Sequence, residues 1–150
     1  MNTKFMDRAI TLAQKSFNMG EVPVGAVIVK DGEIIAEGYN TRESDNLSTG
    51  HAEINAINNA CKTLGSWRLD GCEMYVTLEP CYMCAGAIAT SRISTLIFGS
   101  YDLKMGCIDS NMRVFDLFSD SKCEVFAGIK QKECDDIINS FFKAVRNGDR

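Results

Sequence analysis

A chain of 150 residues, 45% hydrophobic and 24% charged, has the size and balance of one folded domain with a sizeable core, so residues 1–150 are read as a single domain. Its formal net charge of −4 works against indiscriminate nucleic-acid binding, which depends on phosphate neutralisation, but leaves room for a local basic patch. No stretch approaches the roughly 20 apolar residues of a membrane span, and the charged segment "MNTKFMDRAITLAQKSFNMG" does not read as a signal peptide; no membrane partner is expected.

The expected elements alternate helix and strand. Met6, Ala9, Ile10, Ala13 and Phe17 recur at helical spacing and make one buried stripe, closed by Gly20. "VGAVIVK" and "EIIAEGYN" are β-rich runs joined by Asp31-Gly32, a hairpin signal. The polar stretch "TRESDNLSTG" reads as a loop. A helix from about Ala52 ends near Leu64, with Gly65 as its C-cap. "EMYVTL" is a strand, "MCAGAIATS" a short helix of small residues, and "STLIFG" the next strand. Residues 112–119 fit no single period, and "CEVFAGI" reads as a final strand. The last helix runs from about Gln131 to Arg146, with Ile137, Ile138, Phe141, Phe142 and Val145 turned inward. Helices interspersed with strands predict an α/β fold, a sandwich with the sheet in the middle.

The seven cysteines are odd in number and scattered through helical and strand-like segments. Without an export signal, reduced thiols or metal ligands are expected rather than a disulfide framework, and the expected compartment is cytoplasmic. Cys81 and Cys84, in "LEPCYMCAGA", lie one helical turn apart, so both thiolates can point at one spot near a helix start. Alone, such a pair could equally be two core cysteines or a redox couple. The sole histidine, His51, opens "HAEINAI", and alone it could be a helix cap.

Taken together the two stretches are chemically coherent. His51 and Glu53 are two positions apart and cannot share a helix face, so they converge only on something beyond the helix end. His51, Cys81 and Cys84 would leave one position of a tetrahedral Zn²⁺ open for water, with Glu53 beside it to move protons. The competing arrangement is a closed structural site, with Glu53 or another cysteine as fourth ligand. Cys61, Cys72, Cys107, Cys123 and Cys134 show no second paired spacing.

His-x-Glu with Pro-Cys-x-x-Cys is the fingerprint of the zinc-dependent nucleobase deaminases. "GEVPVGAVIV", "HAEINAI", "LGSWRLDGCEMYVTLEPCYMCAGAIATSRI", "FGSYDLKMGC" and "KECDDIINSFFKAVR" extend the likeness from Met6 to Arg146. The chain resembles the bacterial tRNA adenosine deaminases, of the cytidine deaminase-like superfamily. That resemblance implies a three-layer α-β-α sandwich around a five-stranded mixed sheet, a homodimer, and hydrolytic conversion of adenosine to inosine at the wobble position of a tRNA anticodon loop. It further implies one Zn²⁺ per chain on His51, Cys81 and Cys84, with Glu53 as the proton carrier. Asn40 would hold the target nucleoside, the Ala52 backbone would contact the base, and Val24 would form an apolar wall.

The chain departs from the family pattern at three places. An Asn-His pair before the last strand is replaced within "FSDSKCEVF", Gly50 stands where alanine is common, and a small-residue run is altered to "GCIDSNMRVFD". Arg42 and Lys104, in loops expected to border the pocket, are the candidate RNA contacts. Arg113, Lys122, Lys143, Arg146 and Arg150 are further candidates, for most of which a solvated surface is the expected setting. Three functions stay open at this stage: an RNA adenosine deaminase, a deaminase of free nucleobases or nucleosides (guanine or cytosine type), and a zinc-stapled binding module without activity.

Overall fold

The computed structural model describes residues 2–148, so Arg150 lies outside the described residues. In chain order the elements are α1 (Lys4–Asn18), β1 (Gly25–Lys30), β2 (Glu33–Tyr39), α2 (Arg42–Asp45), α3 (Ala52–Leu64), β3 (Cys72–Leu78) and α4 (Tyr82–Thr90). β4 (Thr95–Ser100), a 3₁₀ turn (Val114–Leu117), β5 (Glu124–Ala127) and α5 (Gln131–Arg146) complete it. The 3₁₀ turn falls in the segment that fitted no single period.

The five strands form one sheet in the order β2-β1-β3-β4-β5. β1 runs antiparallel to β2 and β3, whereas β3, β4 and β5 are parallel, so the sheet is mixed. Asp31 and Gly32 both have positive φ, 51° and 79°, as the tight turn between β1 and β2 requires. The parallel pair β3–β4 needs a crossover, and α4 supplies it.

Alternation along the strands sorts the core into two layers. Ala26, Ile28, Met74, Val76, Leu96 and Phe98 pack with Ala52, Ala56, Ala85 and Ile88 of α3 and α4. Val27, Val29, Tyr75 and Ile97 pack on the opposite face with Phe5, Met6, Ala9 and Leu12 of α1 and Cys134 of α5. The central strands are buried on both faces, which accounts for their unbroken apolar runs. This is the expected three-layer α-β-α sandwich.

Two glycines set how closely the helices lie. A Cβ on Gly25 would collide with the backbone of Ala9 and Ala13, and one on Gly38 with the Ala52 carbonyl and the Ala56 amide. α1 and α3 therefore rest directly on strand backbone.

The helix faces differ in detail from the expected stripes. In α1 the buried set is Phe5, Met6, Ala9, Leu12, Ala13 and Ser16, while Ile10 and Phe17 are half-buried. In α5 only Cys134 and Phe141 are buried; Ile137 and Ile138 are half-buried, and Phe142 and Val145 are each 43% exposed. The apolar stripe of α5 is wider than the seam that β4 and α1 offer it. Among the described residues no helix is long and apolar enough to cross a membrane.

The tight seat of α3 is testable. Gly38→Ala is expected to lower stability by roughly 1–3 kcal/mol in urea unfolding, because the added methyl meets backbone that cannot swing aside. An unfolding midpoint equal to that of the unsubstituted protein would show that the close approach is not limiting.

Candidate active site and metal centre

His51 and Cys81 occupy equivalent places. Each is the N-cap residue of its helix, α3 or α4, in extended backbone conformation, and neither side chain caps its own helix. Freed from capping, the two side chains turn toward each other. Cys84 sits one turn into α4 and is buried. Its Sγ lies 3.5 Å from His51 Nδ1, and that of Cys81 lies 3.7 Å away. All three donor atoms fall within 4.8 Å of one another. A tetrahedral Zn²⁺ with its usual bond lengths holds sulfur and nitrogen ligands about 3.6 Å apart, so the spacing fits that ion. Among the described residues no further histidine, cysteine or carboxylate joins the group. The site is thus of the three-ligand type rather than the closed, four-ligand type.

The charge pattern points the same way. The hydrogen bond from Cys84 pulls the Cys81 thiol down to about 4 against the effect of burial, and His51 adds to the pull. Cys84 is pushed far up, because it gives that hydrogen bond and is buried beside Cys81 and Glu53. The hydrogen bond with Cys81 raises the His51 imidazole. Two thiols this close cannot both ionise without a cation between them, and a soft divalent ion with an imidazole ligand meets that need. The positive ends of α3 and α4 assist.

Glu53, in the first turn of α3, is only 4% exposed. Burial raises its carboxyl to about 7, partly countered by its own backbone amide, the nearby His51 and a hydrogen bond from Cys84. It lines a cavity of about 570 Å³ together with His51 and Cys81. Among the residues expected from sequence, Val24, Asn40, Arg42 and Ala52 also line this cavity. Lys104 does not: it is exposed in the loop after β4, and its neighbours Asp102 and Met105 face the cavity in its place. Asn40 donates to the Val22 carbonyl (3.1 Å) and accepts from the Arg42 amide (3.0 Å). One amide hydrogen and one lone pair of its side chain are left over for a ligand.

Two buried carboxylates escaped the sequence reading. Glu21, 2% exposed, accepts the Glu43 amide (3.1 Å), the Ser44 amide (2.7 Å) and the Ser44 hydroxyl (2.6 Å). It caps α2 from outside, since Thr41 makes no side-chain cap, and so places Arg42 at the cavity rim. Glu79, also 2% exposed, accepts amides from Asp102, Ile108, Asp109 and Ser110 at 2.8–3.2 Å, and the Ser110 hydroxyl at 2.5 Å. Burial pushes both carboxyls up, but these hydrogen bonds outweigh it and hold both below the ordinary carboxylate range. The available signal was an acidic residue beside a buried strand, in "GEVPVG" and "TLEPC", where a charge must find partners.

Metal analysis checks the centre directly. One zinc per chain is expected, and Cys84→Ala should lose it, because two remaining donors hold the ion poorly. Full zinc in that variant, or none in the unsubstituted protein, would contradict the assignment.

Comparison with known proteins agrees with this geometry. Residues 1–100 match the family described as the cytidine and deoxycytidylate deaminase zinc-binding region. A tRNA-specific adenosine deaminase of Bacillus subtilis (strain 168) is 45% identical over 144 residues, which is 95% of this chain and 89% of that protein. A structure solved in studies of A-to-I editing by tRNA:A34 deaminases is 42% identical with a TM-score of 0.88, covering 91% of this chain and 99% of that one. A guanine deaminase from Bacillus subtilis is 48% identical with a TM-score of 0.64, covering 67% of this chain and 66% of that one. With a matching sequence, a matching fold and three donors at zinc-binding distances, the chain belongs to the cytidine and deoxycytidylate deaminase family, and His51, Cys81 and Cys84 are its zinc ligands.

Proposed function

We propose that this chain is a single cytoplasmic zinc-dependent deaminase domain that converts adenosine to inosine at the wobble position of tRNA. The observation that carries this reading is the near full-length likeness to tRNA-specific adenosine deaminases, joined to a buried carboxylate beside the three-ligand centre. Bound zinc supplies a Lewis acid that ionises water near neutral pH. Glu53 takes the proton released from the attacking water and delivers it to the ring nitrogen next to the carbon that bears the amine. Glu53 then takes the proton of the new hydroxyl on that carbon and passes it to the amine; the carbon–nitrogen bond breaks as the carbonyl forms, and ammonia leaves. Val24 and the Ala52 backbone shape the base pocket, and Asn40 holds the nucleoside with its remaining hydrogen-bonding capacity. Since the base must reach a recessed centre, the substrate presents it unpaired, as an anticodon loop does.

The partial likeness to a guanine deaminase favours a second reading, a deaminase of free bases. The deciding assay measures ammonia release from an anticodon stem-loop with adenosine at the wobble position, alongside free guanine, adenine, cytosine and their nucleosides. Turnover on the stem-loop is expected; efficient turnover of a free base with none on any stem-loop overturns the proposal.

In the same assay, Glu53→Gln is expected to keep zinc and lose at least about 10²–10⁴-fold in kcat, because an amide cannot relay protons. Activity within a few-fold of the unsubstituted enzyme would remove Glu53 from the mechanism.

Arg42 lines the cavity, and contact of its guanidinium with a substrate phosphate is part of this reading. Arg42→Glu should raise KM for the stem-loop, reduce its salt dependence by about 0.7 in log–log slope, and spare a free nucleoside. Lys104→Glu should do less, since Lys104 stands off the cavity wall. Equal effects on stem-loop and nucleoside would argue against phosphate contact.

The reading includes a homodimer. α4 supports it: Tyr82 is 63% exposed, and Gly86 and Ala87 offer a low surface for close packing. Sedimentation at micromolar concentration tests this, and a clean monomer refutes it.

A further inference from the structure

We propose that Glu79 is a positioning residue for the substrate, holding the Asp102–Met105 wall of the cavity in register with the metal-ligand turn. The proposal rests on the nucleobase deaminase reading of the site. Glu79 stands between the end of β3 and Cys81, two residues from a zinc ligand. Its amide donates to the Ser100 carbonyl (2.8 Å) and so ties the ends of β3 and β4 together. Its carboxylate reaches the other way, into the loop that follows β4. That loop winds around it. The Cys107 amide donates to the Pro80 carbonyl (2.9 Å), and Gly106 has no room for a Cβ because the Glu79 carboxyl occupies the place.

Five donors converge on two oxygens, and they are divided unequally. Oε2 accepts the amides of Ile108 (3.2 Å), Asp109 (2.8 Å) and Ser110 (2.9 Å). Oε1 accepts the Asp102 amide (3.1 Å) and the Ser110 hydroxyl (2.5 Å). A carboxylate with its lone pairs so occupied does not serve as a proton carrier. What it does is place Asp102. The Asp102 side chain accepts the amides of Lys104 (3.2 Å) and Met105 (3.0 Å), and its carbonyl accepts the Gly106 amide (2.8 Å). The turn that presents Asp102 and Met105 to the cavity is thus internally closed. Its Asp102 amide is the bond to the metal-ligand turn nearest the cavity wall.

The unequal division makes Glu79→Gln a selective probe. Three amides fix the amide oxygen of glutamine at the Oε2 place, which leaves its NH₂ where Oε1 was. The Ser110 hydroxyl can rotate to accept from that NH₂, but the Asp102 amide cannot. One hydrogen bond is therefore lost, and it is the one that holds the wall.

The experiment compares Glu79→Gln with the unsubstituted zinc enzyme on the anticodon stem-loop, with zinc content and backbone amide exchange measured in parallel. KM is expected to rise about tenfold while kcat stays within about threefold, the pattern of a lost wall contact that holds bound substrate and transition state alike. Zinc should stay stoichiometric, and the Asp102 amide should exchange about tenfold faster while the amides of Ile108 to Ser110 keep their protection. An unchanged KM, a fall confined to kcat, or loss of zinc would each overturn the proposal. If the unsubstituted enzyme turns over neither stem-loop nor free base, the functional reading fails, and amide exchange alone decides whether Glu79 holds Asp102. Should Glu79→Gln fail to fold, amide exchange in the unsubstituted enzyme decides: the Asp102 amide must be protected together with those of Ile108 to Ser110, and exchange of the Asp102 amide at the rate of an unprotected loop overturns the proposal.

Discussion

Two helices of this protein begin at the same point in space, and most of the structure serves that coincidence. The N-cap residue of each, His51 or Cys81, leaves its own helix uncapped by its side chain. A helix start carries several backbone amides without intrahelical partners and a partial positive charge. Two such starts facing one another repel until something anionic sits between them. Two thiolates supply the anion, and the zinc they bind in turn makes both thiolates possible. The backbone and the metal centre therefore depend on each other electrostatically.

The sheet makes the meeting geometrically possible. β3 ends at Leu78 beside its parallel neighbour β4, so the chain enters α4 at the carboxyl edge of the parallel strands, where α/β proteins commonly bind ligands. α3 reaches the same edge because Gly38 lets its first turn lie on the backbone of β2. The small buried residues Ala52 and Ala56 of α3 and Ala85 of α4 keep this layer thin. Glu53 then faces the centre from a site that solvent barely reaches, a setting in which a carboxyl can exchange protons near neutral pH.

Much of this was legible in the sequence because it depends on local spacing. A sole histidine opening a helix and two cysteines one turn apart left few alternatives, and both helix starts fell where expected. The hairpin at Asp31-Gly32 and the span of α5 were equally local signals. The inward face of α5 was misjudged because periodicity marks how wide an apolar stripe is, not how much of it the neighbouring elements cover; Phe142 and Val145 lie beyond that cover. The loop of Lys104 borders the cavity as expected from its position, but Asp102 and Met105 rather than Lys104 itself line the wall, because the path of the turn is not readable from charge. Glu21 and Glu79 were passed over because their partners are backbone amides of segments more than 20 residues away, which no side-chain pattern reveals.

Those two carboxylates give the cavity walls an unusual kind of freedom. Glu21 holds the α2 segment and Glu79 the loop after β4, and both hold mostly by main-chain amides, the atoms every residue except proline possesses. Apart from Asp102, Gly106 and Ser110, which brace the second loop themselves, residues of these walls can accordingly differ while the loops that display them keep their shape. Substitutions at such positions change the cavity's lining and leave the zinc ligands and the proton carrier as they are. A catalytic centre insulated in this way from the parts that choose its substrate is a ready starting point for divergence.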